Sequence, residues 1–158
     1  MSGVGYHEQL QRLVNAYIAC GQPWPATSRE IAAWAIGEKQ WWPQPSTLIS
    51  QCAEQLSRAM REEYISDPQG RVVRAKHAAK VERDGEQLTL WADIRTADRP
   101  HMEIAFQQRR QQIVGDCRQL KTDVDSFNDN SNTGPPIQLV FDFTDDLTEL
   151  EALAALGK

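Results

Sequence analysis

Cysteine is scarce: Cys20, Cys52 and Cys117 are the three in 158 residues. They are widely spaced and odd in number, which excludes a disulfide framework and a paired metal-ligand motif. Each falls on or near the apolar side of an expected helix, so three buried, reduced thiols are expected. Long apolar runs are missing as well. No stretch approaches the roughly 18–20 residues needed to cross a bilayer, and no membrane contact is expected. Met1-Ser2-Gly3-Val4-Gly5 has neither a basic region nor an apolar core. No secretion signal is therefore expected, and a cytoplasmic protein is the natural inference. Histidine is rare too. His7, His77 and His101 stand near no cysteine or carboxylate cluster, and each reads as structural or solvent-facing, with His77 able to add a contact at low pH.

The chemistry-bearing motifs are equally sparse. There is no phosphate-cradling glycine loop, no nucleophile motif and no metal-ligand spacing. Asp142, Asp145 and Asp146 cluster beside leucines, without a basic or histidine partner. The expectation is a protein that is not an enzyme and uses no cofactor, with no catalytic or metal-binding residues.

What the chain does have is a charge asymmetry. At 41% hydrophobic and 25% charged residues it has an ordinary globular composition. Its net charge of −5 is unevenly spread. Residues 1–121 hold 16 Lys and Arg against 14 Asp and Glu, whereas residues 122–158 hold 1 against 8. Within 71–83, Arg71, Arg74, Lys76, Lys80 and Arg83 face only Glu82. The result is a basic arm in one place and an acidic tail in another.

Periodicity organises the rest. Leu10, Leu13, Val14, Tyr17 and Ile18 form one stripe on a helix over His7–Cys20, which Gly21 and Pro23 stop. Thr27 followed by Glu30 is a capping-box signature for a short second helix. That helix would face inward through Ile31, Trp34 and Ala35 and end near Gly37. The stretch Trp41-Trp42-Pro43-Gln44-Pro45 then stands before a third helix that runs to about Tyr64. Ser46 reads as its N-cap; Pro45 at the first helical position is the alternative. Ile49, Cys52, Leu56 and Met60 make its apolar seam, and Thr47, Ser50, Gln51, Glu54 and Arg58 its polar side. Trp34, Trp41, Trp42 and Trp91 read as core or loop anchors, and Trp24 between prolines as a staple for the second helix.

Asp67-Pro68-Gln69-Gly70 is a turn, and a strand with Val72 and Val73 follows. Asp84-Gly85 signals a two-residue hairpin. Folding the chain there sets Arg83 against Glu86, Val81 against Leu88 and Ala79 against Leu90. Pro100 opens a long helix over about 101–127. On it Phe106, Ile113, Leu120 and Phe127 recur every seven residues, with Cys117 and Val124 between them and Arg110 as the polar interruption. This helix either packs back on its own domain or pairs with its copy; the seven-residue recurrence and the polar outer face favour pairing. Asn128 to Pro136 has the composition of a flexible linker. The chain closes with a β-like run (Ile137, Leu139, Phe141, Phe143) and an acidic segment carrying Leu147, Leu150, Leu153 and Leu156.

Three helices and then a β-hairpin, over residues 6–95, resemble a winged helix-turn-helix domain of the bacterial regulator type. The resemblance rests on the capped helix at Thr27, the helix from Ser46 and the "DPQGR" turn into a hairpin. It departs from the pattern in its long, tryptophan-rich 37–45 loop and in Glu62-Glu63 near the end of the third helix. The fold class it implies is α+β: a winged helix-turn-helix domain (1–98), a dimerisation helix (99–128), a linker (129–136) and an acidic amphipathic tail (137–158). It also implies a dimeric, sequence-specific binder of double-stranded DNA, either a transcriptional regulator or an accessory factor in replication or mobile-element biology. Ser46, Thr47, Ser50, Gln51 and Arg58 would enter the major groove, and Arg71, Arg74, Lys76, Lys80 and Arg83 would lie on phosphates. Phe106, Ile113, Cys117, Leu120, Val124 and Phe127 would form the dimer interface. The acidic tail would compete for the basic arm or dock on the body or on a protein partner. The alternative is a winged-helix module that binds protein through the tryptophan loop and the tail.

Overall fold

Tyr17 organises the first part of the chain. In the computed structural model, which describes residues 5–44 and 47–157, its ring stands edge-on to Trp34 at 5.5 Å and to Trp24 at 6.4 Å. Its hydroxyl donates to the Pro23 carbonyl at 2.8 Å. These edge-to-face contacts hold together two helices, α1 (Tyr6–Ala19) and α2 (Ser28–Gly37). The expected stripe on α1 faces inward at four of its five positions, with Leu10, Leu13 and Val14 half-buried and Tyr17 buried, while Ile18 at the helix end is exposed. Gly21, at φ +75°, supplies the left-handed residue that ends α1. The Thr27 capping box forms: the Thr27 hydroxyl accepts from the Glu30 N–H at 3.1 Å, and the Glu30 carboxylate accepts from the Thr27 N–H at 3.4 Å. Thr27→Ala is expected to destabilise this unit by about 1 kcal/mol, read as a lower urea midpoint.

The chain falls into two units, residues 1–56 and 57–158, and α3 (Leu48–Arg61) begins in the first and ends in the second. Pro45 and Ser46 lie outside the described residues, and so does the N-cap reading. Thr47 stands just ahead of α3, its N–H and hydroxyl both donating to the Gln44 carbonyl at 3.1 and 2.7 Å. The expected inward seam is not buried. Ile49 is 87% exposed, Cys52 and Leu56 are exposed, and only Met60 is half-buried. The aromatic trio fills the contact between α1 and α2, and α3 contributes no buried side chain. α3 also stops at Arg61, short of Tyr64, because Tyr64 already begins a strand.

The second unit holds two small antiparallel hairpins. β1 (Tyr64–Ser66) pairs with β2 (Val72–Arg74) through the Asp67 turn. The Gly70 N–H donates to the Asp67 carbonyl at 2.9 Å, and the Asp67 carboxylate accepts from the Gln69 and Arg71 N–H groups at 3.0 and 2.8 Å. β3 (Lys76–Arg83) pairs with β4 (Glu86–Asp93) in the register expected from Asp84-Gly85. Both turn residues have positive φ, +54° and +79°, as a two-residue turn matched to strand twist requires. Ala75 joins the hairpins: its N–H donates to the Glu63 carbonyl at 3.0 Å and its carbonyl accepts from the Ile94 N–H at 2.8 Å. The basic arm is therefore two strands belonging to two sheets.

α4 (Arg99–Asn130) is capped by Asp98, whose carboxylate accepts from the His101 N–H at 2.9 Å, and Pro100 lies in its first turn. Its first turns pack on β3. Ala105 is buried, as are His77 and Ala79 on β3 and Ala75 just before it. His77 stacks edge-on to Phe106 at 5.4 Å. His101 Nε2 donates to the His77 carbonyl, and the Gln108 amide both accepts from the Lys80 N–H (2.7 Å) and donates to the Lys80 carbonyl (2.8 Å). These side chains cover an otherwise open strand edge. His77 and His101 are thus structural, as expected.

Three expectations are corrected here. The cysteines are free, but Cys20 and Cys52 are exposed and Cys117 is half-buried. Cys20 lies at the end of α1 beyond its packed turns, and Cys52 lies on the uncovered seam of α3. The linker region is tied down: the Asn128 side chain accepts from the Ile137 N–H (2.9 Å) and donates to its carbonyl (2.8 Å), while Asn132 donates to the Pro135 carbonyl (2.9 Å). The β-like run 137–143 forms no strand, and no strand edge among the described residues pairs with it. The tail then forms α5 (Thr144–Leu156), whose four leucines stay exposed.

Candidate nucleic-acid interface

The polar side of α3 is solvent-facing. Ser50, Gln51, Glu54 and Arg58 are all exposed, and Thr47 is half-buried. Gln51 donates its amide to the Thr47 hydroxyl at 3.2 Å, so the two residues act as one polar pair at the start of the helix. The small side chains Thr47 and Ser50 let a ligand's backbone approach this end closely, and a helix N-terminus favours an anion.

The basic arm is less open than its composition suggests. Arg71 is held by Asp67 at 2.7 Å and donates to Gln69 at 3.2 Å. The Asp67 carboxyl sits below the usual carboxylate range, first because of the Arg71 side-chain hydrogen bond and then because of the Arg71 N–H. Lys76 lies between Asp93 and Glu63, each at 3.2 Å, which raises its pKa above the usual lysine value. Asp93 also accepts from the Arg95 guanidinium at 2.6 Å, and that bond leads the causes holding its carboxyl well below the usual range. Arg74 is half-buried and turns toward α4. Lys80 and Arg83, nearest the hairpin tip, remain exposed. The arm thus places Lys76, Lys80 and Arg83 on the β3–β4 hairpin, with Lys76 neutralised at its base, while Arg71 and Arg74 belong to the β1–β2 hairpin.

No family model, curated protein or solved structure matches the chain.

Trp34, Trp41 and Trp91 serve as the expected anchors, whereas Trp42 does not. Trp41 Nε1 donates to the Tyr6 hydroxyl at 2.9 Å, which ties the loop before α3 to the start of α1. Trp91 is half-buried with the Arg61 guanidinium over its ring, 6.0 Å from the centroid. Trp42 is exposed. The proposed dimer seam divides. Phe106 packs against its own chain's His77, whereas Ile113, Leu120 and Phe127 are about half exposed and Cys117 and Val124 half-buried. Arg109 escaped sequence reading. It lies beside the seam interruption Arg110 and looked like ordinary helix surface; only the docking of α4 on β3 brings it near Arg74. Among the described residues no group of three or more His, Cys, Asp or Glu is placed to hold a metal ion, and no helix is long and apolar enough to cross a membrane.

Proposed function

We propose that residues 6–93 form a winged helix-turn-helix unit that binds double-stranded DNA as a homodimer, as a transcriptional regulator or an accessory factor. α3 would enter the major groove, and Lys80 and Arg83 on the β3–β4 wing would contact phosphates. The observation that carries this reading is the α3 face: hydroxyl and amide side chains at its start, exposed, ahead of Arg58. The order of elements and the Asp84-Gly85 hairpin support it. Gln51 suits adenine and Arg58 guanine or phosphate. α4 supplies the pairing helix.

The carboxylate partners of Arg71 and Lys76 rank the cations. Fluorescence anisotropy with a labelled duplex should show affinity falling steeply with salt. Lys80→Ala and Arg83→Ala should each lower the magnitude of the log–log salt slope by about 0.9 on every sequence. Arg71→Ala should lower it less. Gln51→Ala should instead relax sequence preference. Absence of any duplex binding at low salt would sink the proposal.

A second reading has its own observation. The apolar seam of α3 is open, with Leu48 and Ile49 68% and 87% exposed. Exposed apolar rows of this kind mark protein-binding faces, so the unit would then be an interaction module. Ile49→Asp separates the two: it should spare DNA affinity and abolish partner capture.

A further inference from the structure

We infer that the second unit carries a binding site for a small organic anion, a phosphate or carboxylate attached to an apolar body, in the cavity shared by Arg74 and Arg109. This inference does not rest on DNA binding. It uses different groups from those assigned to the duplex, except that it moves Arg74 from the phosphate arm to a site of its own.

The cavity measures about 360 Å³, which lies within the range of small-molecule sites. Tyr64, Val73, Ile94 and Phe106 line it, together with the two arginines. Each arginine is placed by the fold. Arg74 ends β2 opposite Tyr64, and its carbonyl accepts from His77 Nε2 at 2.9 Å. Because a carbonyl can only accept, that bond puts the His77 proton on Nε2. Arg109 follows Gln108, whose amide grips the Lys80 backbone, so the helix turn that carries Arg109 is fixed against β3.

The cations of the second unit are unevenly matched. Arg71, Lys76, Arg95, Arg99 and Lys121 each hold a carboxylate at 2.6–3.2 Å. Arg74 and Arg109 form no ion pair among the described residues. The nearby carboxylates of Glu63 and Asp93 are already taken by Lys76 and Arg95. Two guanidiniums therefore face one apolar-walled cavity without an internal counterion. Burial and the positive charge of Arg74 both hold Arg109 below its usual value, so the repulsion is felt within the fold. Planar guanidinium forks match phosphate and carboxylate oxygens. An anion bridging them would relieve the repulsion. Val73, Ile94 and Phe106 would receive a ring or short chain attached to it.

The test is isothermal titration of the full chain with phenyl phosphate, benzoate, phenol and inorganic phosphate. Phenyl phosphate or benzoate should bind at least about tenfold more tightly than inorganic phosphate, because the apolar walls contribute. Phenol, which lacks the charge, should not bind. Arg109→Gln should weaken the aromatic anion about tenfold or more, and Arg109→Lys should restore part of the loss. Arg109 lines the cavity while keeping solvent exposure, so its variants should keep the fold; unchanged circular dichroism checks this. Arg74→Gln provides the second arm. Equal affinity for inorganic and phenyl phosphate would overturn the site as built for an apolar body. Unchanged phenyl phosphate binding in Arg109→Gln, or no binding by the native chain, would overturn it outright. Duplex binding is measured separately, so its failure leaves these outcomes readable.

Discussion

Replacing Ile113 and Leu120 together with aspartate is expected to turn the proposed dimer into monomers, with at least about a hundredfold loss of association. The two positions lie one heptad apart, with Phe106 before them and Phe127 after. In that register Arg110, Cys117 and Val124 fill the alternate seam positions. Ile113, Leu120 and Phe127 are 53%, 47% and 45% exposed, so each has apolar surface left for a partner. At its start α4 is already occupied, because Phe106 meets His77 and Gln108 holds Lys80. A second copy would therefore pair along residues 110–127, roughly 27 Å of helix at 1.5 Å per residue. In a parallel pair Asp116 of one copy would face Lys121 of the other, an attractive flanking contact. Lys121 is already bonded to Asp125 at 2.7 Å within its own helix, so that contact would set register more than strength. Sedimentation equilibrium decides the matter. The native chain should run as a dimer, the double variant as a monomer, and both with the same helical content. A native monomer, or a double variant that still pairs, would refute the α4 interface. Arg110→Leu should have the opposite effect and tighten association, because it removes a charge from the seam.

Legibility in the sequence followed the range of the forces involved. Local signals carried through to structure. The Thr27–Glu30 box, the Asp84-Gly85 turn and its register, and the Gly21 stop are each set by residues a few positions apart. The stripe on α1 was legible because Tyr17 has aromatic partners close in sequence. What failed depended on distant partners. Periodicity shows that Ile49, Cys52 and Leu56 share a face of α3, but it cannot show whether anything covers that face. Composition marked 71–83 as one basic arm. The break at Ala75 depends on Glu63 and Ile94, and the neutralisation of Lys76 depends on Asp93, 17 residues on. The alternation in 137–143 matched a strand, but a strand needs an edge to pair with, and Asn128 instead holds Ile137 beside the end of α4. Arg109 lay furthest from view, since its meaning comes wholly from the cavity that α4 closes with the first hairpin.

The same long-range packing makes Ala79 the most sensitive position in the second unit. Ala79→Leu should destabilise that unit by about 1–3 kcal/mol, through overpacking of a site that has no spare volume. His77 and Ala79 alternate along β3 and so share one face of the strand, and Ala75 lies just before it. The contact between His77 and Phe106 identifies that face as the one α4 covers. Ala79 is completely buried there, Ala105 is buried on the helix side, and Ala75 is completely buried where the hairpins join. Alanines on both surfaces let helix and strand approach closely enough for Gln108 to reach the Lys80 backbone. A leucine at 79 would push α4 outward and break both Gln108 bonds, which contribute about 1 kcal/mol each where they form. The two losses are one event and do not add. Among the unit's described residues the buried apolar ones are Ala75, Ala79 and Ala105, so few large side chains are available to absorb the change. With an m-value of about 1–3 kcal/mol/M, the urea midpoint should fall by roughly 1 M. Gln108→Ala should give a smaller fall of the same kind, and in the double variant the two effects should be less than additive, since both act by separating α4 from β3. If Ala79→Leu left the midpoint unchanged, the close approach of α4 to β3 would be wrong, and with it the wall of the cavity that holds Arg109.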